Sequence, residues 1–185
     1  MKRWSIVAMV ALVMFGAHAA VVAGGSDDRD DRSLRARLSG PEEVPFVSTP
    51  GRGSFSATVS RDGMSISYEL AFSGLEGFVT QSHIHIAQRR VNGGIALWLC
   101  QTARNPAPAA VTAATPMCNV NPDATEGMVS GVLTAAQVIG PTGQAIPAGA
   151  FAEVLKAIRD GAAYVNVHST VVGGGEIRGQ VRVND

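Results

Sequence analysis

The residues of this chain best suited to chemistry are three histidines set on alternating sequence. Residues 81–87 read QSHIHIA. In a strand His83 and His85 point to one face and Ile84 and Ile86 to the other, with the two imidazoles about 6–7 Å apart at the backbone. The isoleucines make the natural core side, so both imidazoles are expected on the outer face. Residues 164–168 read YVNVH, which puts Val165 and Val167 on a core face and Tyr164, Asn166 and His168 on the opposite one. Residues 176–183 read EIRGQVRV, with Glu176 and Arg178 on the polar side. If these strands are neighbours, one polar patch gathers His83, His85, Asn166, His168, Glu176 and Arg178. Three imidazoles suit copper or zinc, with a fourth position for water or Glu176. Asn166 or Glu176 would then hold the second ring nitrogen of a ligand. The competing reading is a polar network that only holds the fold, with Glu176 and Arg178 as an ion pair fixing the turn at Gly173-Gly174-Gly175.

The elements that must position these side chains are read from period-two patterning. Leu34, Ala36 and Leu38 alternate with Ser33, Arg35 and Arg37. Phe55, Ala57 and Val59 alternate with Ser54, Ser56 and Thr58, and Arg61-Asp62-Gly63 signals a tight turn into the next strand. There Met64, Ile66, Tyr68, Leu70 and Phe72 share a face. Further strands are expected at 81–87, 94–100, 127–133, 163–168 and 176–183. One short helix is expected near 150–160, where Phe151, Val154, Leu155 and Ile158 fall at helical spacing before Gly161. Thr134 is expected to cap a short turn over Ala135 to Val138. About eight strands without long helices between them point to an all-β antiparallel sandwich or barrel.

Composition narrows the function. The 185 residues are 46% hydrophobic with 16% charged, which fits a folded domain, and 15 basic residues balance 15 acidic ones. No basic field exists to grip nucleic acid. No G-x-S-x-G elbow, P-loop or Rossmann fingerprint is present. Glu42-Glu43, between Pro41 and Pro45, is expected on a solvated turn, and Trp98 in the core or on the sheet surface. Lys2 and Arg3, the apolar run Ile6 to Phe15 and Ala17-His18-Ala19 have the pattern of a signal peptide over 1–19, with cleavage after Ala19 or alternatively Ala23. A retained N-terminal anchor is the rival reading, since residues 4–25 carry no Asp, Glu, Lys or Arg. Removing 1–19 leaves 13 basic against 15 acidic residues. Residues 20–33 read as a flexible leader, and 34–185 as one domain. Export, to the periplasm or beyond the cell, puts Cys100 and Cys118 where a disulfide persists. A bridge of that span adds about 3 kcal/mol by the chain-entropy treatment.

These segments resemble the CHRD domain, the chordin-type domain also found in bacterial secreted proteins. The likeness is carried by Leu38-Ser39-Gly40-Pro41-Glu42-Glu43-Val44-Pro45, by Ser82-His83-Ile84-His85 and Gly93-Gly94, and by Gly161, Tyr164-Val165-Asn166-Val167-His168 and Gly175-Glu176-Ile177-Arg178-Gly179-Gln180. It implies an immunoglobulin-like β-sandwich. The family is also distantly similar to copper–zinc superoxide dismutases. His83-Ile84-His85 is similar to that enzyme's paired copper ligands and Val167-His168 to a later copper-ligand strand. Arg178 would take the part of the substrate-guiding arginine. The chain departs from the dismutase pattern in lacking a fourth copper histidine and the His/Asp set for zinc. Three functions are therefore expected to compete. The first is a non-catalytic binding or scaffold module for another exported protein. The second is copper or zinc handling through His83, His85 and His168. The third is superoxide-type redox chemistry with Arg178 near an open copper position.

Overall fold

The computed structural model describes Met1 and residues 32–184. Of the expected signal segment 1–19 only Met1 is described, and the leader up to residue 31 lies outside the described residues.

The alternating patterns become antiparallel strands. β1 (Ser33–Ser39) buries Leu34, Ala36 and Leu38, and β2 (Arg52–Val59) buries Phe55, Ala57 and Val59. β3 (Ser65–Ser73) buries Ile66, Tyr68, Leu70 and Phe72. Met64 does not join that row. It belongs to the β2–β3 turn, where the Asp62 carboxylate accepts from its backbone N–H and Gly63 takes φ +70°, and its side chain is exposed. β4 (Val79–Ile86), β5 (Gly94–Cys100), β6 (Gly127–Thr134) and β7 (Ala163–Ser169) follow. The expected last strand, 176–183, is two pieces, β8 (Ile177–Gln180) and β9 (Arg182–Val183). The break falls at Val181, which is fully buried and donates its N–H to the Ala163 carbonyl. β8 pairs with β7 and β9 with β1, so the chain changes partners there.

The strand order is β5-β4-β7-β8-β1-β2-β3-β6. β8 and β1 meet through a single register pair, Ser39 with Arg178. The path therefore has two halves, β5-β4-β7-β8 and β1-β2-β3-β6, folded face to face as a nearly closed sandwich. Tyr68 of β3, the strand next to the β6 edge, donates its hydroxyl to the Leu99 carbonyl of the β5 edge at 2.5 Å and ties the two halves together. Leu34, Phe55, Ile66 and Leu70 from one half pack against Ile84, Leu97, Leu99, Val165, Val167 and Ile177 from the other. Each such fully buried side chain contributes roughly 1.5–3 kcal/mol. Among the described residues the architecture is all-β with one α-helix, as expected. That helix, α1 (Phe151–Arg159), buries Phe151, Val154, Leu155 and Ile158, the residues spaced at i, i+3, i+4 and i+7. The Thr134 hydroxyl accepts from Ala136 N at the head of a short 3-10 turn over Ala135–Gln137.

Cys100, the last residue of β5, forms a disulfide with Cys118. The enclosed segment is pinned from inside by Gln101. Its side-chain amide donates to the Thr112 and Thr115 carbonyls and accepts from Ala107 N. Ala107 and Val111 pack on Trp98, with Ile95 and Ile139 beside them, as a second small apolar cluster.

Candidate metal centre

The antiparallel register of β4 on β7 sets His83 opposite Asn166, His85 opposite Tyr164 and Gln81 opposite His168. Continuing across the ladder, His83 faces Trp98 of β5 and Asn166 faces Arg178 of β8. Side chains of one pleat face thus form rows, and the three imidazoles fall together. Their candidate ligand atoms lie within 4.8 Å of one another.

The face that carries them is not an outer one. His83 is 0% exposed, His85 8% and His168 6%. Trp98 lies edge-on to His83 at 4.3 Å between ring centroids. Trp98 in turn is roofed by Ala107 and Val111 from the disulfide-bounded segment. His85 stacks flat on Tyr164 at 4.7 Å, and Arg178 Cζ lies over the Tyr164 ring at 3.3 Å from its centroid. Polar residue types suggested a wet face, but long-range packing buries it.

Hydrogen bonding fixes the ring tautomers. A backbone carbonyl only accepts, so the nitrogen facing it carries the proton. His85 Nδ1 donates to the Gly93 carbonyl at 2.9 Å, and His168 Nδ1 donates to the Gly173 carbonyl at 2.9 Å. Both rings therefore present a bare Nε2 lone pair. His83 Nδ1 lies 3.2 Å from His168 Nε2 and donates to it. His83 Nε2 and His85 Nε2 are left buried with no hydrogen-bond partner. Burial pushes the pKa of His83 down to about 2, helped by the neighbouring His168 and His85 and opposed by the Asn166 amide. Burial likewise takes His85 down to about 4 and lowers His168. At neutral pH all three rings are neutral, which is the ligating form of imidazole.

The remaining expected residues are placed differently from one another. Asn166 stands beside His83 and His85, and its Oδ1 has no hydrogen-bond partner. Glu176 is fully buried but turned to another task. Its Oε1 accepts from the Thr49 hydroxyl at 2.6 Å and from Glu76 N at 2.7 Å, and it is not in the ligand group. The expected Glu176–Arg178 ion pair does not form among the described residues. Arg178 instead donates to the Val91 carbonyl at 2.7 Å and to Asn92 Oδ1 at 3.1 Å. At 1% exposure it clamps the 87–93 loop, and does not stand at an opening to solvent.

Two positions escaped the sequence reading. Glu43, expected on a solvated turn, is 7% exposed, and burial raises its pKa to about 7 against the pull of Arg178. Its partner Glu42 does meet solvent and pairs with Arg89 at 2.7 Å. A side chain at Gly175, where φ is +121°, would meet Glu43 Oε1 at 2.5 Å and Asn166 Nδ2 at 2.8 Å, so these groups converge on one glycine. The other missed position is Gly93, whose carbonyl orients His85. A Cβ there would lie 1.8 Å from the Ile86 carbonyl. Only glycine lets the loop approach closely enough. The Gly93-Gly94 and Gly173-Gly174-Gly175 runs were the available signal, because each supplies the carbonyl that a histidine needs.

Fold and site together define a nearly closed antiparallel β domain with a buried cluster of three neutral imidazoles on adjacent strands. Residues 34–181 match the CHRD domain family, and the chain belongs to it. No curated protein and no solved structure matches the chain significantly.

Proposed function

We propose that this domain is a metal-binding module in which His83, His85 and His168 hold one copper or zinc ion. The observation that carries the reading is the convergence of three buried imidazoles, each offering one ring nitrogen, with these nitrogens within 4.8 Å of one another. His85 Nε2 is buried without a partner, and the Nδ1 protons of His85 and His168 are pinned by carbonyls, so both rings turn a bare Nε2 toward the cluster. An unpaired buried polar atom costs about 1–3 kcal/mol, and a coordinated ion removes that cost. The 3.2 Å between His83 Nδ1 and His168 Nε2 also fits a metal, with the His83 proton then carried on Nε2. Two nitrogens bound at about 2.0–2.1 Å in a tetrahedral site stand about 3.3 Å apart. An all-imidazole donor set favours copper or zinc over magnesium or calcium. When bound, such an ion supplies a Lewis-acid centre or, for copper, one-electron chemistry. The burial of the rings and the commitment of Arg178 to the 87–93 loop support storage or structural binding over rapid turnover of an anion.

The reading includes export. The signal pattern at 1–19 supports it, and the Cys100–Cys118 disulfide is compatible with it. Among the described residues no helix is long and apolar enough to cross a membrane. A second reading, binding of another exported protein, rests on family membership and on the exposed apolar side chains Met128 and Val132 of the β6 edge strand.

Elemental analysis of the purified domain, after gel filtration from metal-supplemented buffer, tests the first reading. About one copper or zinc per chain is expected, lost in His83→Ala/His85→Ala. Metal-free wild-type protein, or a variant that keeps its ion, overturns it and leaves the protein-binding reading.

A further inference from the structure

The outer face of β9, β1 and β2 carries a charge arrangement that the fold itself does not need. Arg35 and Arg37 alternate with the core residues Leu34, Ala36 and Leu38, so both point outward from one strand. The register sets Arg35 directly opposite Arg182. Like charges in that position are destabilising. The side chain of none of the three makes a hydrogen bond or ion pair among the described residues. The nearest acid along the same ladder row, Glu69, pairs with Ser56 and so stands two strands from Arg35, about 9–10 Å.

These arginines line a cavity of about 710 Å³ whose wall also includes the Arg89–Glu42 pair. Ser54, Ser56, Gln180 and Asn184 complete its polar wall. A volume of that size suits a small organic ligand or a short oligomer. Three uncompensated guanidinium groups in it, on a chain of zero formal net charge, make a local concentration of positive charge. A guanidinium is built to take a carboxylate or sulfate through paired N–H donors. The hydroxyls and amides between them match sugar hydroxyls. The one aromatic residue of the wall, Phe55, is a 2% exposed core side chain, so no platform exists on which a nucleic-acid base could stack.

We propose that this cavity is a binding site for an anionic saccharide, held by Arg35, Arg37 and Arg182 through its sulfate or carboxylate groups. Its three arginines lie on β1 and β9, and none of the three histidines lines the cavity.

Titration calorimetry of the purified protein with three probes of matched length tests it: a dextran sulfate oligosaccharide, an oligogalacturonate and neutral dextran. One or both anionic probes are expected to bind, and which one does separates sulfate from carboxylate recognition. Neutral dextran is expected not to bind. Arg35→Gln/Arg182→Gln is expected to weaken binding tenfold or more. Arg61→Gln/Lys156→Gln, which removes the same charge from exposed positions elsewhere, is expected to change it less than twofold. Arg37→Gln alone serves as the second variant should the double one fold poorly, and a loss of several-fold is expected. Failure of both anionic probes to bind overturns the proposal. So does binding that survives both cavity variants, or an equal loss in the control. Association with anionic phospholipid vesicles in place of the saccharides also overturns it, in favour of a membrane surface.

Discussion

Replacing His83 with leucine separates a metal ligand from a hydrogen-bonder. The side chain is 0% exposed and nearly matched in volume by leucine, so packing around Trp98 is largely kept. In the metal-free protein the change removes one orphaned nitrogen, His83 Nε2, and creates another, because His168 Nε2 loses its donor. Those two effects cancel, and what remains is one lost hydrogen bond, about 1 kcal/mol. For a domain of this size that lowers Tm by about 2–4 °C. With ion present the two proteins diverge. Free metal at a hundred times its Kd stabilises the wild type by about 2.7 kcal/mol, which raises Tm by about 5–11 °C. The variant, with two imidazoles left, is expected to show no such rise under the same conditions. Differential scanning calorimetry with and without zinc, and with copper in a separate series, reads both quantities. A metal-dependent rise that persists in His83→Leu refutes the reasoning. A metal-free loss above about 3 kcal/mol also refutes it, because His83 would then be holding the fold by contacts the cancellation leaves out.

Glu43 gives a pH signature. Its folded pKa is raised to about 7 from 4.5, so the folded state holds a proton that the unfolded state has released. The stabilisation is complete below 4.5 and is gone above 7. In Glu43→Gln the corresponding dependence is expected to vanish, so the Tm difference between wild type and variant should change between pH 4.5 and 7 and level off above. A constant difference overturns the assignment. Removing the disulfide in Cys100→Ala/Cys118→Ala, whose partners are 18 residues apart, is expected to cost about 3 kcal/mol, read by urea unfolding under non-reducing conditions. Gly93→Ala must displace the carbonyl that orients His85, and a loss of metal affinity of about 10–100-fold is expected by competition with a chromophoric chelator.

The strands were legible because their alternation is strict, as in Leu34-Ala36-Leu38 and Ile66-Tyr68-Leu70-Phe72, and α1 because its four apolar residues keep helical spacing. The shared face of the three histidines followed from the same rule. Burial of that face did not, since it depends on Trp98, the 87–93 loop and the disulfide-bounded segment, which reach it through contacts distant in sequence. Glu43 was misplaced for the same reason. Its neighbours suggest an exposed turn, and only the approach of Gly175 from far along the chain encloses it. The division of 176–183 at Val181 was equally invisible, because the pattern EIRGQVRV alternates through the point where the chain leaves β7's side for β1's.

The two arms of the histidine cluster are 85 positions apart, one on β4 and one on β7. During synthesis His83 and His85 emerge long before His168, and two imidazoles on an unpaired strand make a weak and unselective trap. The third arrives only when β7 has docked, and its ring is set only when the Gly173 carbonyl comes with it. On the proposed reading, an ion would be chosen at the close of folding. Its identity would be set by the metals of the compartment where β7 finds β4, and a chain folding on either side of a membrane would carry away a different one.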